Sequence, residues 1–520
     1  MQPLSRAQQF WLAVFLTAWC FVGLTGRDAW KPEEALALAP LLDWLALGGL
    51  TPADSPFPLH TLLSGLTAWL SQPWLDTQDG ARLVSGLSTL AALSFTGLAA
   101  RALYGPGYGA AAALALLGCF GLMLRAHALL PETLLLAGYA MLLYGVALAR
   151  TRAGAGAALI AGAGLMLTLS RGLPDLIAAL LIVTLPMLSR HWRERVYRRA
   201  ALRGLAGLVV LLALWLGLLL IQGDGAVALW WQHFLAPLAP RRSVGFLFDT
   251  LTWFAWPVWP LALWTLWHEH RRLARAPELH PVLAAALVTL VLGLWPSHSS
   301  GGGVLPVLAP LALLAAHGVA NMKRGAAQGF YWFGVLCFLF FAFAFWIYFA
   351  ATEWGWPARA AVQMARLAPN YRGGDTDALV LYGTAAATLF WLVAIPLFPR
   401  AKARPVLVWA TGMALSWFLL IVLFKPWAEA GWGYRPQIDA MATHLPAGAC
   451  LNADVDPAMT TMLRLHLAER YRRGDDCDWW LVMGARADFA AETWPVTTAW
   501  TGFRPRDKSR YYALIRREPR

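Results

Sequence analysis

The chain is a succession of apolar runs separated by polar joints, and the length of the runs decides what they are. Apolar stretches of about 20 residues recur almost to the end, the length a helix needs to cross a hydrocarbon layer of roughly 30 Å. About thirteen spans are predicted this way. They cover 9–25, 81–103, 107–124, 128–149, 154–170, 172–189, 204–222, 247–267, 280–296, 303–320, 328–350, 376–398 and 405–424. The joints alternate in charge. One set is basic: Arg6, Arg101, Arg150 and Arg152, 191–203, 269–275, Lys323 and Arg324, and 400–404. The other holds the long acidic loop after the first run, Arg125 to Glu132, Arg171, 224–243, the SHSSGGG stretch and 352–377. Basic short loops mark the cytoplasmic side. The N-terminus is therefore predicted in the cytoplasm, and an odd span count puts 425–520 on the far side, the periplasm of a Gram-negative cell. The first run has the early arginine and apolar core of a signal peptide. It lacks a convincing small-x-small cleavage site, so it is read as an uncleaved first helix.

After residue 425 the pattern changes. IDAMATHL reads as a helix ending at Pro446-Ala447-Gly448, CLNADV as a short strand and MTTMLRLHLAERYRR as an amphipathic helix. DWWLVMGA and YYALIRRE read as further strands. The fold class predicted is an all-α polytopic membrane protein with a small C-terminal α/β periplasmic domain. The membrane domain is 1–424, with 26–80 as its first periplasmic loop, and the α/β domain is 425–520. That last domain has no catalytic constellation of its own and is expected to act as a lid or docking platform. It carries Cys450 and Cys477, for which a disulfide and two buried thiols are both open readings in an exported region. Cys20, Cys119 and Cys337 lie inside apolar runs, where a thiol packs as a small hydrophobe.

Composition sharpens this picture. Hydrophobic residues make up 59% and charged ones 14% of the 520 residues, more apolar surface than one soluble core uses. The mean hydropathy is +0.52. The net charge of +13 belongs to the basic loops, because no basic stripe interleaved with aromatics is present to suggest nucleic acid. GxxxxGK[ST], GxSxG, HExxH and CxxC are all absent, so soluble nucleotide-using chemistry has no support.

Candidate chemistry concentrates at the predicted exported ends. Arg27, Asp28, Lys31, Glu33 and Glu34 open the first loop, and His60 follows SPFP. Glu33 and Glu34 come directly after Pro32, where proline and acids suit a helix start, so PEEALALAPLLDWLALG is predicted to be a helix lying on the membrane surface. Arg125, His127 and Glu132 flank the start of the fourth span, Arg171 sits in SRGLPD, and Gln232, His233, Arg241, Arg242 and His298 complete the set. Carboxylates with several arginines suggest a general base beside a phosphate site, since the guanidinium fork matches phosphate oxygens. Glu132 lies in apolar sequence, where an acid needs a partner or a task. Arg125 and Arg171 also fit simple snorkelling to headgroups. His60, His127 and His298 lack ligand spacing, so no metal site is predicted. No cofactor is expected; a divalent metal is left as a lesser alternative.

Trp30-Lys31-Pro32-Glu33-Glu34 resembles the W-x-P-[D/E]-E opening of the first periplasmic loop in bacterial GT-C glycosyltransferases. The resemblance is to undecaprenyl-phosphate aminoarabinose (lipid A) transferases and the related dolichyl-phosphate-mannose–protein mannosyltransferases. It continues through Ser55-Pro56-Phe57-Pro58-Leu59, Ala81-Arg82-Leu83, Glu132, Ser170-Arg171-Gly172 and LPVLAPLALLAA at 305–316. It implies a GT-C fold and an inverting transfer. A sugar would leave a polyprenyl-phosphate carrier for a lipid, glycan or protein acceptor, in the bacterial inner membrane, as part of cell-envelope or lipid A modification. It implies Glu33 and Glu132 as the two acids, beside Asp28 and Glu34. Arg171 and the cations near it would hold the carrier phosphate. The lysine that the lipid A enzymes carry before the prolines of the SPFPL stretch is absent here, and SHSSGGG stands where close kin often have a basic residue before the span-ten prolines. Arg125, Arg241 and Arg242 are the candidates to supply the missing charge. A transporter or lipid flippase is the alternative class, which would carry inverted repeats and mid-span charges.

Overall fold

The computed structural model describes residues 2–223, 225–236, 242–374, 376–472, 477–485, 498–507 and 509–516. Helices dominate, and a small sheet closes the chain. Seven described helices are long and apolar enough to cross a membrane: Thr77–Tyr104, Ala153–Arg171, Arg195–Gln222, Gly302–Ala320, Arg324–Trp354, Ala378–Leu397 and Arg404–Trp432. Five shorter apolar helices accompany them: Pro106–Leu117, Glu132–Leu148, Leu173–Leu188, Val244–Phe254 and Pro277–Leu292. The chain is thus a multi-pass membrane protein.

Several predicted spans differ from the observed helices, and three of the differences have a local reason. The 107–124 run breaks at Gly118 and Cys119. The Gly118 carbonyl accepts a hydrogen bond from Trp409 Nε1 at 2.8 Å, and the indole occupies the space a side chain at Gly118 would need. The 247–267 run divides into Val244–Phe254 and Val258–Glu269 at Pro257, which has no N–H to continue a helix. The 204–222 run instead starts at Arg195, taking in most of the basic joint before it. Tyr197, Ala200 and Ala201 on that extra stretch are fully buried and pack with Trp192, which favours helix over loop.

The chain forms two compact units. The first comprises Met1–Thr25, Leu47–Phe340 and Thr388–Trp417. Its main core includes Leu135, Tyr139, Leu167, Ile182, Trp192 and Leu313. Helices pack closely where residues are small: Gly156 lies against the backbone of Ala149, and Gly145 against Ile160. This is the usual way membrane helices gain contact, because burial of apolar surface from lipid gains little.

The second unit comprises Gly26–Ala46, Phe341–Ala387 and Phe418–Arg520. Its sheet contains β1 Leu451–Asp454, β2 Trp479–Gly484, β3 Thr498–Phe503 and β4 Tyr511–Arg516, in the order β1-β2-β4-β3. β1 and β2 are parallel, and the Pro457–His466 helix lies in the connection between them; β4 runs antiparallel to β2 and β3. Three of these strands match the sequence reading; β3 is additional. Cys450 and Cys477 form a disulfide with their Cα atoms 5.4 Å apart. The helix predicted in the first loop spans Pro32–Leu47. Within this unit Ala29 and Ala35 join a core with Tyr434, Ile438, Met459, Leu463 and Tyr512, and Arg464 pairs with Asp43 at 2.8 Å. The start of the first loop and the C-terminal domain therefore share one apolar core.

Candidate functional site

The predicted site residues divide between the two units. His60, Arg125, Glu132, Arg171, Arg242 and His298 fall in the first, and Arg27, Asp28, Lys31, Glu33 and Glu34 in the second. Arg241 lies outside the described residues.

In the first unit a cavity of about 290 Å³ is walled by Phe57, Glu132, Ser170, Arg171, His233, Ser297 and His298, among others. Arg171 is the last residue of the Ala153–Arg171 helix. Gly172 follows with φ +82°, and a side chain there would strike the backbone of Phe234. The chain turns at this glycine into the helix beginning at Leu173, and the turn brings Asp175 back to Arg171. Arg171 Nε donates to Asp175 Oδ2 at 2.5 Å and Nη2 to Oδ1 at 3.0 Å. Tyr139 donates its hydroxyl to Oδ1 at 2.6 Å. Asp175 is fully buried and Arg171 is 7% exposed. The third guanidinium nitrogen, Nη1, is buried without a hydrogen-bond partner among the described residues. Arg171 is also the only lysine or arginine among the described residues that line the cavity.

Glu132 begins the Glu132–Leu148 helix and is 1% exposed. One of its oxygens, Oε1, accepts from Ser297 Oγ at 2.7 Å and from the Ser299 N–H at 2.6 Å. The other, Oε2, has no partner among the described residues. The SHSSGGG stretch thus wraps the carboxylate. Gly302 lies so close that a Cβ there would collide with Glu132 Oε1 and Ser299 Oγ. Arg125 donates to the Ser300 carbonyl, bracing the same loop, and its guanidinium lies over Phe254. A cavity whose wall includes a carboxylate and a guanidinium, each with one atom that lacks a partner among the described residues, suits a ligand with a donor, such as a hydroxyl, beside an anionic oxygen.

The remaining first-unit candidates divide into one wall residue and two that do not line the cavity. His298 is in the wall, edge-on to Phe57 at 5.1 Å between ring centroids. His60 is fully buried and also edge-on to Phe57, at 5.5 Å between ring centroids, and neither of its ring nitrogens has a partner among the described residues. Burial, reinforced by His298 and only partly offset by Glu132, lowers its pKa to about 3. The neutral imidazole is therefore the favoured form. The Arg242 guanidinium stacks on Phe246 at 4.3 Å, and the Arg242 backbone N–H donates to the Leu294 carbonyl at 3.2 Å.

The second-unit residues are tied into their own core. Arg27 makes a two-pronged pair with Glu34, Nη1 to Oε2 at 3.0 Å and Nη2 to Oε1 at 2.9 Å, both side chains 3% exposed. The guanidinium also lies 4.8 Å from the Trp30 ring centroid. Asp28 Oδ2 accepts the N–H groups of Tyr434 at 2.6 Å and Arg435 at 2.7 Å, and His466 Nε2 is 3.3 Å from Oδ1. Burial on its own would raise the Asp28 pKa, but His466 and the Arg435 N–H outweigh it and hold the carboxyl below its ordinary value. Glu429 Oε1 accepts from Asp28 N and Trp30 Nε1, both at 2.9 Å. Lys31 and Glu33 are half-buried at the start of the Pro32–Leu47 helix. Asp28 and Glu34 thus hold the loop in shape, which their acidic side chains alone did not reveal.

Sequence reasoning passed over Asp175, Tyr139, Ser297 and Ser299. Asp175 is four residues from Arg171, the spacing of neighbours on a helix face, but Gly172 and Pro174 lie between them and mask that signal.

No protein-family model matches the chain, and no curated protein matches it by sequence. Solved structures do match it in fold. ArnT from Cupriavidus metallidurans in the apo state superposes with a TM-score of 0.66 at 18% identity, over 98% of this chain and 98% of that one. The same protein bound to undecaprenyl phosphate gives 0.66 at 16% identity, again over 98% of both chains. The chain therefore has the GT-C fold of ArnT over essentially its whole length, and the likeness read from a few short motifs holds at the level of the entire architecture.

Proposed function

We propose that the protein is an inverting glycosyltransferase. It moves a sugar from a polyprenyl-phosphate carrier to a lipid, glycan or protein acceptor on the periplasmic face of the inner membrane. The observation that carries this reading is the cavity walled by Arg171 and Glu132, whose Nη1 and Oε2 lack partners among the described residues, on the fold of a protein seen with undecaprenyl phosphate bound. In the proposed reaction the acceptor oxygen attacks the anomeric carbon, and the bond from that carbon to the phosphate oxygen breaks. The electron pair stays on the phosphate, where Arg171 stabilises it. Glu132 holds a sugar hydroxyl, and the acceptor proton passes to a carboxylate base, the role that the first-loop resemblance implies for Glu33. Asp28, Glu34 and Arg27 keep the first loop in shape. The disulfide between Cys450 and Cys477 supports an oxidising compartment for 425–520, with the basic joints on the cytoplasmic side.

The test is to reconstitute the purified full chain with polyprenyl-phosphate-linked sugars and follow release of free polyprenyl phosphate. Release that depends on an acceptor supports the transfer. A protein that binds or moves the carrier lipid across vesicles with the sugar bond intact is a transporter, and the reading fails.

A smaller perturbation addresses the same site. Gly302→Ala is expected to push Glu132 off its two serine partners, because the added methyl has no room beside Oε1. Turnover should fall about tenfold to a hundredfold. Stability should drop by roughly 1–3 kcal/mol, the usual result of overpacking. Turnover and thermal unfolding measured on the same preparation check both. Unchanged turnover would mean that the Glu132 carboxylate is not needed in this position.

A further inference from the structure

The charge around Arg171 is balanced in a way that bears on product release. Two of its three nitrogens are taken up by Asp175, a fully buried carboxylate that Tyr139 also holds. The cavity wall adds a second carboxylate, Glu132, and contains no other lysine or arginine among the described residues. A site meant only to hold an anion tightly would not pair a guanidinium of its wall with one acid and place a second acid in the same wall.

Transfer changes the charge of the carrier. A polyprenyl-phosphate sugar is a phosphodiester with one negative charge. Once the bond to the anomeric carbon breaks, the carrier is a phosphate monoester with a charge of about −1.5 to −2 near neutral pH. An isolated arginine would hold that product more tightly than the donor, because attraction grows with ligand charge. We propose that Asp175 is a positioning residue that offsets the charge of Arg171, so that the monoester is released instead of retained. This rests on the reading of Arg171 as the carrier-phosphate ligand. Asp175 fixes the Arg171 guanidinium in the cavity wall through its two hydrogen bonds and repels the second negative charge that appears only after transfer. Glu132 adds to that repulsion.

Two measurements on the full chain in lipid nanodiscs test it. In the unmodified protein, a methyl phosphodiester of a polyprenol should compete for the site at least as well as undecaprenyl phosphate. A monoester that binds tenfold more tightly than the diester overturns the inference. In Asp175→Asn, which keeps the shape and one acceptor oxygen, undecaprenyl phosphate should bind about tenfold or more tightly than in the unmodified protein. kcat should fall, and KM for the donor should stay within about threefold. Weaker binding of both diester and monoester would mean that Asp175 is structural only, and the inference fails. An unmodified protein that binds neither ligand would instead remove the carrier-phosphate reading itself, which separates the two failures.

Discussion

An Arg171→Met protein is expected to lose about a hundredfold to a thousandfold in kcat/KM for a polyprenyl-phosphate sugar, the range seen when one donor to a developing oxyanion is removed. It should also lose about 3–5 kcal/mol of stability, because Asp175 would be left buried without its cation. The two effects have different origins, and Arg171→Lys separates them. An ammonium keeps the charge near Asp175, but its single nitrogen cannot make both bonds to that carboxylate and still face the cavity. The lysine protein should therefore regain most of the stability and little of the turnover. Rates of carrier-phosphate release and thermal unfolding of the three proteins decide the matter. A stable methionine variant with normal turnover would show that the phosphate is held elsewhere.

Glu33 and Glu34 are adjacent in sequence and should behave oppositely. Glu33 is half-buried in the first turn of the Pro32–Leu47 helix. Glu33→Gln gives up a favourable helix-start charge, a cost of about 0.3–1 kcal/mol, and should leave the fold intact. Its turnover should fall by about two to four orders of magnitude if the carboxylate takes the acceptor proton. Glu34 is the buried partner of Arg27, with two hydrogen bonds to the guanidinium. Glu34→Gln leaves that cation buried and incompletely paired, so about 3–5 kcal/mol of stability should be lost. Unfolding curves and turnover for the pair are the check. A Glu33→Gln protein that turns over normally would remove Glu33 from the chemistry, and a fully stable Glu34→Gln protein would contradict the structural role given to Glu34.

The same contrast runs through what could be read from the chain. Most of the helices were legible because their signal is local. An apolar run of bilayer length states its conformation without reference to any partner, and Pro32 with two acids after it marks a helix start by itself. β1, β2 and β4 were legible for a related reason, as short apolar runs between turn residues. β3 was not. Thr498–Phe503 is at the end of the sheet order and half-exposed, so it carries no strong apolar pattern, and its pairing with β4 includes a register shift. The break at Gly118 depended on an indole 291 residues further along.

The site was legible as a set of residue types and not as a set of roles. Glu132 and Arg171 could be singled out because a charge in apolar sequence is costly and requires an explanation. Whether such a charge is an unsatisfied ligand group or a satisfied structural one depends on what lies beside it. Asp28 looks as functional as Glu33 in the sequence, yet its partners Tyr434 and Arg435 lie 406 and 407 residues away. Ser297 and Ser299, which hold one oxygen of Glu132 while the other has no partner among the described residues, lie 165 and 167 residues from it. Hydrophobic periodicity and charge cost are properties of a short stretch of chain, so the sequence alone determined the membrane helices, the basic loops and the pool of candidate acids and arginines. Hydrogen-bond pairing is decided by residues distant in the chain, so only the tertiary structure told Asp28 and Glu34, paired within their own unit, from Glu132, which lines the cavity.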